Sequence, residues 1–164
     1  MTELFDSISQ ALANPQQRHA MIVHMPVAIS VLGVVTLIVL AIVRGRSNPV
    51  RWLAAGMYFI AAVTAYMAKL SGFEASMMVE VFSPAFQDDL KHHKQLAENL
   101  PIAMLTQAIL ISLTALPKKK VRITMLVLSL VMSLWLAVWV AQTAHHGGEM
   151  VYVHGAAVVQ DHAP

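Results

Sequence analysis

The chain has 164 residues, of which 57% are hydrophobic and only 12% charged, with a mean hydropathy of +0.62. A soluble domain carries about 25% charged residues, so the composition excludes an ordinary globular enzyme and reads as one integral membrane domain. The sequence has no cysteine, which excludes disulfides, Cys-ligated zinc, iron–sulfur clusters and covalently attached c-type haem.

The opening residues lack a basic region and an early apolar run, so no cleavable signal peptide is expected. Residues 1–17 read as a short interfacial helix or tail. Leu4, Phe5, Ile8 and Leu12 recur at helical spacing, and Asn14-Pro15 closes the stretch. Four apolar segments follow, at about 20–43, 52–70, 96–116 and 123–144, each near the roughly 20 residues that a span requires. Pro26 lies near the start of the first and Pro117 stops the third. Gly72 and Gly147-Gly148 read as breaks after the second and fourth spans. Residues 71–91 read as a long polar loop, with Asp88 and Asp89 in the first turn of the helix that follows. The fold class expected is all-α: an integral membrane antiparallel four-helix bundle over 18–159, with a short N-terminal interfacial helix and a tail at 160–164.

Charge sorts by side. The connections at 44–51 and 117–122 hold Arg44, Arg46, Arg51, Lys118, Lys119, Lys120 and Arg122, and no acidic residue. All nine carboxylates fall on the opposite side, with both termini. The positive-inside rule then places the two basic connections in the cytoplasm and both termini in the periplasm of a bacterial inner membrane. The basic run 118–122 sits between two spans, so it reads as a topology signal and no nucleic-acid partner is expected.

All eight histidines lie on the acidic, outer side: His19, His24, His92, His93, His145, His146, His154 and His162. One interfacial histidine is most simply a hydrogen-bonding residue. Histidines at the mouths of spans one and three and at the exit of span four point instead to a shared site. Helical phase separates adjacent pairs by about 100°, so one of His92 and His93, and one of His145 and His146, faces away. His24 and His93 are the favoured inward pair, because His24 lies deeper in its span than His19. Two imidazoles on diagonal helices can sandwich a b-type haem. Three histidines with a carboxylate can instead hold zinc or copper.

The stretch His19-Ala-Met-Ile-Val-His24-Met-Pro26-Val-Ala28 resembles the opening motif of a bacterial four-span membrane family, domain of unknown function 2231. Ala20 and Met25 depart from its pattern. The stretch Gly147-Gly148-Glu149-Met150-Val151-Tyr152-Val153-His154-Gly155 closely resembles the family's closing motif. His93 takes the place of a histidine that opens the third span. The resemblance covers about 19–159. It implies a haem-bearing membrane module, some of whose relatives are joined to cytochrome c domains.

The expectation is therefore a b-type-cytochrome-like subunit for respiratory electron transfer. One haem b would sit near the outer face on His24 and His93, with His19, His154, Glu149 and Tyr152 lining or orienting the site. Its partners would be the lipid bilayer, a quinol and a periplasmic cytochrome or other subunits of a membrane complex. Two alternatives stand beside it. One is a zinc or copper protein with His24, His93 and His154 as ligands and Glu149 as base, although no His-Glu-x-x-His motif is present. The other is a non-catalytic anchor subunit.

Overall fold

A computed structural model of the chain describes residues 2–79 and 83–156. The expected tail at 160–164, with His162, lies outside the described residues. Helices are the only regular secondary structure among the described residues: α1 (Thr2–Ala13), α2 (Pro15–Ile42), α3 (Asn48–Met77), α4 (Pro84–Glu98), α5 (Leu100–Leu113) and α6 (Lys119–Tyr152). Four helical stretches are long and apolar enough to cross a membrane, with α4 and α5 together forming the third.

The spans run longer than the apolar segments alone indicate. α2 begins at Pro15 because Asn14 caps it: its Oδ1 accepts from the backbone N–H of Gln16 at 2.9 Å and of Gln17 at 3.3 Å. Pro15 in the first turn loses no needed hydrogen bond. Pro26 lies inside α2, buried, without ending it. α3 continues through Gly72 to Met77, so most of the expected 71–91 loop is helix. Gly147-Gly148 does not break the fourth span either, and α6 runs through both glycines to Tyr152. At about 1.5 Å per residue its 34 residues reach roughly 50 Å. The third span is divided into α4 and α5 at Asn99, two residues before Pro101, which supplies no N–H for the carbonyl of Ala97.

α3 packs between α2 and α5, and α6 closes the ring between α5 and α2; α4 lies against α6. Among the described residues α2 makes no contact with α5, nor α3 with α6, so these pairs are diagonal. The inward face repeats every seven residues, the period of a left-handed bundle. It reads His19, Pro26, Gly33, Leu40 on α2 and Arg51, Tyr58, Ala65, Gly72 on α3. Across α4 and α5 it reads Phe86, His93, Leu100, Gln107, Thr114, and on α6 Leu126, Ser133, Val140, Gly147. Every one of these is buried or half-buried. The face turned outward is Leu, Ile, Val and Phe, including Val31, Ile38, Phe59, Ile60, Val131 and Val138. That exposed apolar belt suits hydrocarbon rather than water. α1 touches only α2 among the described helices and buries no residue, as an interfacial helix would.

The basic end is held by one side chain. Arg44 and Gly45 turn the chain from α2 to α3 with φ of 53° and 67°. Arg51 is buried beneath that turn. Its Nη2 donates to the Gly45 carbonyl at 2.5 Å, its Nε to Thr114 Oγ1 at 2.9 Å, and its Nη1 to Asn48 Oδ1. The guanidinium thus ties the α2–α3 turn to the end of α5. Hydrogen bonds to a charged group contribute about 1.5–3 kcal/mol each. Arg51→Ala is expected to lower unfolding stability in detergent by about 2–3 kcal/mol. Arg51→Lys is expected to recover only part of the loss, since an ammonium lacks the planar fork. A thermal melt followed by circular dichroism checks this, and an unchanged midpoint for Arg51→Ala counts against the network.

Candidate functional site at the histidine end

The other end of the bundle gathers the histidines. His19 enters from α2 and His93 from α4, which belong to the diagonal first and third spans. Both are half-buried. His19 Nδ1 donates to the Ala68 carbonyl on α3 at 2.9 Å, with Ser71 Oγ 3.2 Å away. His93 Nδ1 donates to the Thr143 carbonyl on α6 at 2.9 Å. A carbonyl only accepts, so each Nδ1 carries the hydrogen and each Nε2 keeps its lone pair. The two rings lie 6.4 Å apart, centre to centre, with planes at 89°.

Glycine makes room for each ring. A Cβ on Gly72 would stand 2.8 Å from His19 Cε1, and one on Gly147 would stand 3.3 Å from His93 Cε1. The two glycines that read as helix breaks in the sequence are notches that receive imidazoles. Each costs its helix about 1 kcal/mol relative to alanine, and each permits a ring to approach the neighbouring backbone.

His24 takes a different place from the one its depth indicated. It is exposed, and its Nδ1 bonds the Ala20 carbonyl of its own helix at 2.6 Å. Its seven-residue register includes Val31 and Ile38, both exposed. His19 instead shares the register of Pro26, Gly33 and Leu40, all buried. The inward histidine of the opening motif is therefore His19.

A second group of polar side chains joins α4 to the end of α6. His146 Nδ1 donates to Glu149 Oε2 at 3.0 Å, and His145 Nε2 lies 3.4 Å from Glu149 Oε1. His154 Nε2 bonds Asp89 Oδ2 at 2.7 Å, and its ring meets Phe86 edge-on at 5.7 Å. The His92 ring lies 5.3 Å from that of His146. Tyr152 is 90% exposed. On the α3 side Glu74 pairs with Arg18 across α2 and α3. Beside that pair an open groove of about 250 Å³ is lined by Arg18, Ile22, Met67, Leu70, Ser71 and Glu74.

Of the residues singled out in the sequence, the structure brings His19 and His93 together inside the bundle. His154 and Glu149 belong to the second group, and His24 and Tyr152 to neither. The sequence reading did not assign Asp89 and His146 to the site. The signal for them was present: Asp89 and His93 stand at i, i+4 on α4, and His146 and Glu149 at i, i+3 on α6.

A family model described as "Predicted membrane protein (DUF2231)" matches residues 16–160. No curated protein and no solved structure matches the chain.

The notch has a direct test. Gly72→Ala is expected to push His19 off the Ala68 carbonyl and to cost about 1–2 kcal/mol, the usual range for overpacking a filled contact. In a His19→Ala background the same change is expected to stabilise by up to about 1 kcal/mol, because nothing is left to displace and alanine is the better helix former. Equal costs in both backgrounds, measured as melting temperatures of the four proteins, refute the fit of ring into glycine.

Proposed function

The chain belongs to the DUF2231 family of predicted membrane proteins, and on that premise we propose that it is a b-type-cytochrome-like membrane subunit in which His19 and His93 would hold the haem. The observation that carries the reading is the geometry of that pair. Two imidazoles come from diagonal spans, both have Nδ1 fixed by a backbone carbonyl, and their ring centres are 6.4 Å apart. A metal bonded to two Nε2 atoms at about 2 Å places imidazole centres about 6 Å apart. Backbone carbonyls on the far nitrogens set the tautomer and ring orientation, as they do for metal-bound histidine generally. The donor set fits haem iron, which takes neutral imidazole readily. Haem held there would supply single-electron chemistry. The exposed Lys94, next to His93 in the chain, would be available to pair with a propionate.

The partner we propose is a quinol. Its oxidation releases protons as well as electrons, so a proton acceptor has to stand near the electron acceptor. The groove between α2 and α3 supports this: it is apolar along Ile22, Met67 and Leu70 and polar at Arg18, Ser71 and Glu74. The Glu74 carboxylate is half-exposed beside it and would take a proton and pass it to water. The electrons would leave to a carrier at the same end. The separation of seven basic residues from nine carboxylates supports a bacterial inner membrane, with the histidine end and both termini periplasmic.

Protein produced with ample haem is expected to show a Soret band and a reduced-minus-oxidised spectrum of six-coordinate b-type haem. His19→Ala and His93→Ala are each expected to abolish or strongly alter it, and His24→Ala to leave it unchanged. Loss of the spectrum in His24→Ala with retention in His19→Ala would reverse the assignment. Absence of any haem band in the wild type sinks the reading.

A further inference from the structure

We propose that Asp89, His146 and Glu149 form a binding site for a divalent transition-metal ion, best matched by zinc, that clasps α4 to the last turns of α6. The site uses neither His19 nor His93, so it stands independently of the haem reading. One ligand atom from each of the three residues lies within 4.8 Å of those of the other two. All three are half-buried. They come from two helices that pack together at this end.

The geometry is close to what a small ion needs. His146 Nδ1 and Glu149 Oε2 are 3.0 Å apart, and bonds of about 2 Å in a tetrahedron put neighbouring ligands about 3.3 Å apart. An ion there replaces the proton now shared by that pair. Asp89 faces them from α4 and closes the third position. Each carboxylate is also held by a second histidine: Asp89 by His154 at 2.7 Å and Glu149 by His145 at 3.4 Å. Ligating carboxylates need such outer partners to fix their direction. Two carboxylates neutralise a doubly charged ion, and the partial exposure of the group leaves a fourth position for water.

The donor chemistry selects the ion. Calcium takes six to eight oxygens and gains little from an imidazole. Cu(I) prefers sulfur, and no methionine or cysteine belongs to the set. One imidazole with two carboxylates and a water suits zinc. The consequence is mechanical as well. α6 is intrinsically weak helix at Gly147-Gly148, and Gly147 seats the His93 ring. A metal on His146 and Glu149 would hold that stretch helical and keep Gly147 against His93.

The test uses the full-length protein in detergent or nanodiscs, with any affinity tag removed, dialysed against Zn²⁺ and analysed for bound metal. One zinc per chain is expected, together with a higher melting temperature. Asp89→Asn with Glu149→Gln is expected to weaken zinc binding by at least about tenfold and to remove the thermal shift. His146→Gln, a milder change, is expected to do the same. His19→Ala with His93→Ala is expected to keep the zinc, which separates this site from the haem pair. Failure of the wild type to bind stoichiometric zinc overturns the proposal. So does undiminished binding in the Asp89/Glu149 variant, loss of zinc only in the His19/His93 variant, or equal affinity for Ca²⁺, which would mark a plain acidic patch.

Discussion

The seven-residue register on the inner faces is the constraint on which the rest depends. In lipid, helices gain little from hiding apolar surface from one another, because the surroundings are equally apolar. Association then rests on close van der Waals approach and on a few polar ties. α3 meets the first need with a face of small residues: Ala54, Ala55, Ala61, Ala62, Ala65, Ala68 and Ala75 are all buried. Gly33 on α2 meets α3 at Tyr58, whose ring leaves no space for a Cβ. Only because α3 is this thin does its backbone come within reach of an imidazole from α2.

The polar ties follow the same register, and they are distributed around the bundle. His19 joins α2 to α3 through the Ala68 carbonyl. Arg51 joins α3 to the end of α5 through Thr114. Gln107 Nε2 joins α5 to α6 at the Ser129 carbonyl, 2.8 Å away and fully buried. His93 joins α4 to α6 at Thr143. Three of these four bonds end on backbone carbonyls, each of which thereby accepts a side-chain N–H. Ties of this kind in membranes contribute about 0.6–2 kcal/mol each, so the group matters more for alignment than for bulk stability. His19 and His93 sit inside this alignment scheme, which is why their rings are held in fixed directions.

Much of the architecture was legible in the chain. Four apolar runs, the Asn14-Pro15 break before the first of them and the charge separation between ends lead to a four-span bundle, and that is the structure observed. The phase of the first span was not legible from polarity. α2 is apolar on every side between Met21 and Ile42 apart from His24, Ser30 and Thr36, so no amphipathic stripe distinguishes inside from outside. Depth then favoured His24. The residues that do carry phase are the small and special ones, Pro26, Ser30 and Gly33, and His19 is in step with them. The same blindness affected the glycines. A glycine pair near the end of a span reads as a stop when the neighbouring helix is unknown, and as a notch once His93 is seen opposite it. Asp89 on α4 and His146 on α6 are 57 residues apart in the chain, so only the fold reveals that they face one another.

The length of α6 carries one more consequence. Its roughly 50 Å exceeds the hydrocarbon thickness of about 30 Å, so the turns that bear His145, His146 and Glu149 stand at or beyond the headgroup level. Most of a transmembrane voltage falls across the hydrocarbon. Any charge that arrived at and left from this end would therefore travel almost no electrical distance. Chemistry there would neither be driven by the membrane potential nor charge it, and its rate should be indifferent to whether the membrane is energised.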